Sequence, residues 1–154
     1  MAKKRTYEKK PFESDCSNSD TSANLYMSMA VSKAYKSLSP KQQQLYLYCK
    51  LQYYGEKSKS KPDPFKEQIY FTMNKSKWCS LYGLYSTNDS AGFTRDITAL
   101  IEKGFIKCIS CGKSSRTKGI YTYSSMWQKY GTSDFIINLS DMTSSMIQKR
   151  NKKA

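Results

Sequence analysis

Histidine is absent from this 154-residue chain, which removes every mechanism built on an imidazole base, triad or metal ligand. Acidic residues are scarce, 12 Asp and Glu against 26 Lys and Arg. With carboxylates so scattered, and with no phosphate-cradling glycine motif and no nucleophile motif, an enzyme is not expected. Long apolar runs are missing too. Runs such as Phe135-Ile136-Ile137 fall far short of the roughly 18 residues of a spanning helix. The opening Met1-Ala2-Lys3-Lys4-Arg5 is basic, but no apolar run follows it, so no secretory signal is expected. A cytoplasmic protein without membrane association or cofactor is the expectation.

Cysteine is present in an odd number: Cys16, Cys49, Cys79, Cys108 and Cys111. Without a signal segment, that count argues against a disulfide framework. Cys108-Ile109-Ser110-Cys111 has the spacing of half a zinc site, yet only Cys16, Cys49 or Cys79 remain to complete four ligands; as a redox motif it lacks a surrounding strand-helix-strand context. If the stretch is a strand, residues three apart point to opposite faces. Small buried or half-buried thiols are therefore expected, with no metal.

What the chain does have is positive charge, a formal net of +14. Residues 1–20 hold a net of +1 and residues 141–154 a net of +3, which leaves +10 for residues 21–140. Charge of one sign on a folded body repels itself unless a polyanion relieves it. Nucleic acid is the commonest such partner.

The order of elements narrows the class. Residues 1–23 are polar and aperiodic and read as a tail. Leu25, Met27, Met29 and Val31 alternate like a short strand, and Ser32 to Leu38 reads as helix or turn. Ser39-Pro40-Lys41-Gln42 is a capping box with proline at the first helical position. Leu45, Tyr48, Cys49 and Tyr53 then give an apolar helix face that Gly55 closes. Residues 55–66, with Pro62 and Pro64, read as a loop. Gln68 to Met73 reads as a strand. Asn74 caps a second helix with Trp78, Leu81 and Tyr82, closed by Gly83. Asn88 or Asp89 caps a third, whose stripe is Phe93, Ile97, Leu100 and Ile101, ended by Gly104. Phe105 to Cys111 is a strand with Phe105, Lys107 and Ile109 on one face. Residues 112–119 form a basic loop, and Ile120 to Ser124 is the returning strand, with Tyr121 and Tyr123 sharing a face. Trp127, Tyr130 and the Phe135-Ile136-Ile137 run should dock on the body. The chain closes with a basic tail or frayed helix over 140–154. One folded unit, 24–139, is expected between the two ends.

Phe93-Thr94-Arg95-Asp96-Ile97-Thr98-Ala99-Leu100-Ile101-Glu102-Lys103-Gly104-Phe105-Ile106 resembles the recognition helix and first wing strand of the winged helix-turn-helix superfamily. Lys107 to Tyr123 resembles the wing, and Leu38-Ser39-Pro40 with its helix resembles the opening helix. The resemblance spans about residues 25–131. It implies an α+β fold, a three-helix core with a β-hairpin wing, and flexible termini. The chain is most similar to DNA-binding proteins of phages, plasmids and conjugative elements of Gram-positive bacteria, including the N-terminal domain of plasmid replication initiators. That implies transcriptional control or accessory replication work for a mobile element, with duplex DNA as partner and a homodimer left open.

On this reading the outer face of the third helix carries Ala91, Arg95, Thr98 and Glu102, with Thr94 at its flank, and enters the major groove. Arg95 is the expected base reader, because its fork bonds guanine bidentately, while Thr94 and Thr98 offer hydroxyl or methyl contacts. Ser90 and the free N–H groups at the helix start suit a phosphate. Lys75 and Lys77 are expected at phosphates, and the loop cations Lys113, Arg116 and Lys118 in the minor groove or at flanking phosphates. Two other readings compete. One is RNA or single-strand binding on some of the 13 tyrosines, given exposed aromatics on a sheet face. The other is a protein-interaction module on the same scaffold.

Overall fold

Local capping chemistry sets the first long helix. A computed structural model describes residues 22–52, 70–74, 76–111 and 119–152. In α3 (Pro40–Lys50), Ser39 accepts from the Gln42 N–H, and the Gln42 side chain accepts from the Ser39 N–H in return. This is the expected reciprocal box with proline at the start. Leu45, Tyr46 and Cys49 are buried along one side and Tyr48 is half-buried. Tyr53, the expected helix end near Tyr54, and the loop 55–66 lie outside the described residues.

Two single-turn helices precede it, α1 (Met27–Ala30) and α2 (Lys33–Lys36). The strand expected through Leu25, Met27, Met29 and Val31 is not formed. Only Met29 is buried, while Leu25, Met27 and Val31 stay exposed. Ser32 bonds back to the Met29 carbonyl and caps α2 through the Tyr35 N–H, so the backbone turns instead of extending.

Strand β1 (Tyr70–Thr72), β2 (Ile106–Ser110) and β3 (Ile120–Tyr123) form an antiparallel sheet of order β1-β3-β2. Between β1 and the last long helix, Ser76–Leu81 winds as a π-helix whose wider turn is closed by Tyr82 N–H to the Lys77 carbonyl, 2.9 Å. Asn74 Oδ1 accepts from the Lys77 N–H as a cap, and Gly83 ends the segment at φ +60°. Helix α4 (Ser90–Glu102) buries Ile97, Leu100 and Ile101 and half-buries Phe93, the expected stripe. Its end is a Schellman turn: Gly104 N–H reaches the Ile101 carbonyl and Phe105 N–H the Leu100 carbonyl, as a left-handed Gly104 at φ +76° permits.

That turn drives Phe105 into the centre of the protein. It lies edge-on to Tyr35, tilted against Tyr46 and stacked on Trp127. Phe105 therefore does not share a face with Lys107 and Ile109; the strand starts one residue later and turns Ile106 and Cys108 inward. Tyr121 and Tyr123 share the inner face of β3 and both pack on Phe71. Trp78, Tyr85 and Phe93 close the other end with ring centroids 5.0 to 5.7 Å apart, each such pair contributing about 0.5–1.5 kcal/mol beyond its buried area. At the chain end, α5 (Ser144–Asn151) is capped by Thr143 and buries Met146. Lys107 meets Asp141 at 3.1 Å, tying this segment to β2. The fold is thus mixed α+β. No helix among the described residues is long and apolar enough to cross a membrane.

Candidate nucleic-acid interface

Of the residues expected at DNA, Ser90, Thr94, Arg95 and Thr98 lie on α4. Ala91, Thr94, Arg95 and Glu102 are exposed and Thr98 is half-buried. Thr94 Oγ1 donates to the Ser90 carbonyl at 2.8 Å. The Arg95 side chain is 72% exposed, and its Nε donates to Asp96 Oδ1 at 3.2 Å. Among the described residues its terminal amino groups make no hydrogen bond, so the forked end of the side chain projects outward with its base held.

What holds that base is Asp96, a residue that does not stand out in the sequence. It is 1% exposed. Oδ1 accepts from Gln42 Nε2 at 3.0 Å as well as from Arg95, and Oδ2 accepts from the Tyr85 hydroxyl at 2.8 Å. A buried carboxylate is tolerated when its lone pairs are filled in this way. Burial pushes its pKa up, but the bonds from Gln42, Arg95 and Tyr85 and the Arg95 charge outweigh it, so the group stays below the ordinary aspartate range. Tyr85 is driven far upward, chiefly by burial and then by its bond to Asp96, and remains a donor. The spacing did carry a signal: 93, 96, 97, 100 and 101 follow the i, i+3, i+4 rule, so Asp96 falls within the core stripe.

The start of α4 carries the cap expected from the sequence. Asp89 caps the helix by accepting from the Gly92 N–H at 2.9 Å, and Lys41 stands 3.7 Å from its other oxygen. A carboxylate thus stands at the positive end of the helix dipole, next to the exposed Ser90. Gly92 is buried for the same reason: a Cβ there would sit 2.4 Å from Asp89 Oδ1.

Lys77 is also redirected. It is half-buried, and its Nζ donates to Gln52 Oε1, to the Thr72 carbonyl at 3.1 Å and to Thr72 Oγ1 at 3.2 Å. Its charge fastens the π-helical segment to β1 and the end of α3 instead of facing solvent. The remaining cations named from the sequence, Lys75, Lys113, Arg116 and Lys118, lie outside the described residues.

Lys103 donates to the Tyr130 hydroxyl and covers its ring, 4.5 Å from the centroid. That hydrogen bond holds the Tyr130 phenol below its usual range. Among the described residues, no group of three or more His, Cys, Asp or Glu side chains is placed to hold a metal ion. The chain matches no protein-family model, no curated protein and no solved structure.

Proposed function

We propose that this is a winged helix-turn-helix protein that binds double-stranded DNA, with α4 in the major groove. Arg95 carries the reading: an exposed guanidinium on the outer face of a well-capped helix, anchored by a buried Asp96 and so pre-ordered for a bidentate contact to guanine. Thr94, Thr98 and Ala91 flank it and suit hydroxyl or thymine-methyl contacts. The element order supports the same reading. On this reading α3, the π-helical segment and α4 are the three helices of the core, and β2 and β3 are the strands of a wing whose connecting stretch contains Lys113, Arg116 and Lys118.

The role in the cell is transcriptional control or accessory replication work on a mobile element, as the family resemblance implies. Duplex DNA is favoured over single strands because the sheet aromatics Phe71, Tyr121 and Tyr123 pack on one another over the core and offer no stacking platform there.

Fluorescence anisotropy with duplex DNA, single-stranded DNA and RNA of one sequence, at several salt concentrations, tests the proposal. Tightest binding to the duplex is expected. With six to eight phosphates neutralised, log affinity falls against log salt with a slope of about −5 to −7. Preference for single strands, or capture of a protein partner without salt-sensitive DNA binding, would contradict it.

A further inference from the structure

Cys108 and Cys111 do not point to opposite faces of the sheet. Cys108 stands opposite Tyr121 but Ser110 opposite Ile120, so Ile109 is an extra residue in a β-bulge. A bulge resets the alternation of faces. It brings the Cys111 Sγ to 3.5 Å from the Cys108 Sγ. We propose that these two thiols are a redox modification site, which a hydroperoxide converts reversibly into an intrachain disulfide.

The two sulfurs have different surroundings and therefore different roles. Cys111 is half-buried, and its Sγ accepts the Ser144 N–H at 3.1 Å. Ser144 is the first residue of α5, so the positive end of a helix faces this sulfur and favours its thiolate. Cys108 is buried, and burial first, then Cys111, pushes its thiol up to about 12. Cys111 is thus the attacking thiolate and Cys108 the resolving thiol. Cys79 is half-buried without a thiol neighbour among the described residues, and Cys49 is fully buried.

In the first step the Cys111 thiolate attacks one peroxide oxygen. The O–O bond breaks, the other oxygen leaves and takes up a proton, and Cys111 becomes a sulfenic acid. In the second step Cys108 loses its proton and its sulfur bonds to Cys111 sulfur, displacing hydroxide, which leaves as water. With hydrogen peroxide, two thiols are oxidised and the peroxide is reduced to two waters. The site lies where β2 passes into the basic stretch 112–118.

The test uses the full chain, reduced, treated with equimolar hydrogen peroxide, blocked with N-ethylmaleimide under denaturing conditions and digested with trypsin. Cleavage after Lys107 and Lys113 releases Cys108-Ile-Ser-Cys-Gly-Lys113 as one peptide. The expected product is this peptide, unlabelled and lighter by two hydrogen atoms, formed at least about tenfold faster than any oxidation of Cys79 and restored by dithiothreitol. C108S should stop at the sulfenic acid, captured on Cys111 by dimedone, and C111S should leave Cys108 a labelled thiol. Oxidation of Cys79 ahead of the pair, absence of a dimedone adduct in C108S, or stoichiometric zinc that C111S loses would overturn the proposal. None of these readouts involves DNA, so the site stands or falls independently of the nucleic-acid reading.

Discussion

Gln42 donates to Asp96 across 3.0 Å, joining the first turn of α3 to the middle of α4. The same glutamine returns a bond to the Ser39 N–H. One side chain therefore closes a helix cap with its oxygen and fixes the partner helix with its nitrogen. Replacing Asp96 with alanine strips acceptors from Gln42 and Tyr85 inside the protein. Leaving buried donors unmatched costs about 1–3 kcal/mol each, so Asp96→Ala should lower the urea midpoint strongly. Asp96→Asn, which keeps one acceptor oxygen, should lower it less. Equal midpoints for the two variants would show that the network does not contribute as a network.

The same carboxylate sets an acid limit. Its folded pKa lies below the ordinary aspartate value, so its contribution is fully present above about pH 4, the unfolded pKa. That contribution is lost as pH falls through the lower, folded value. Thermal midpoints measured from pH 6 to pH 2 should fall more steeply for the wild type than for Asp96→Asn. Parallel curves would remove Asp96 from the explanation.

Gly92 is expected to resist a substitution that helix propensity favours. Alanine is the better helix former by about 1 kcal/mol. Here its Cβ would displace the Asp89 carboxylate, which lies 2.4 Å away, and loss of a cap costs about 0.5–2 kcal/mol. Gly92→Ala should therefore be neutral to destabilising in the wild type. In an Asp89→Ala background, where the cap is already gone, it should stabilise. A double-mutant cycle by chemical denaturation measures the difference, and strict additivity would contradict the capping role.

Lys77 is assigned to structure. Lys77→Met removes its bonds to Gln52 and Thr72 and should cost about 1.5–3 kcal/mol of stability, the range for bonds to a charged group. DNA affinity and its salt slope should stay unchanged at a temperature where both proteins are folded. A flatter salt slope in the variant would return Lys77 to the phosphate contacts.

Interactions confined to a few neighbouring residues were legible in the sequence. The Ser39–Gln42 box, the Asp89 cap, the Gly104 turn and the α4 stripe all depend on spacings of three or four. The alternation from Leu25 to Val31 misled because four apolar residues at period two do not bury themselves; only Met29 found a core to enter. The partners of Lys77 and Asp96 were opaque for the opposite reason. These partners, Gln52 and Gln42, are 25 and 54 residues away, and only the tertiary fold decides whether a charge faces water or a neighbour. The bulge at Ile109 is equally non-local, since a strand's register belongs to the pair.

Selection from a random duplex library, with wild type and Arg95→Ala run in parallel, tests the role of α4 most directly. The wild type should enrich a motif containing guanine. Arg95→Ala should lose preference at that guanine, with affinity for the selected site reduced about tenfold to a hundredfold, while affinity for unrelated duplexes changes little. Recovery of the same motif by both proteins, at equal affinity, would contradict the assignment of α4 as the reading helix.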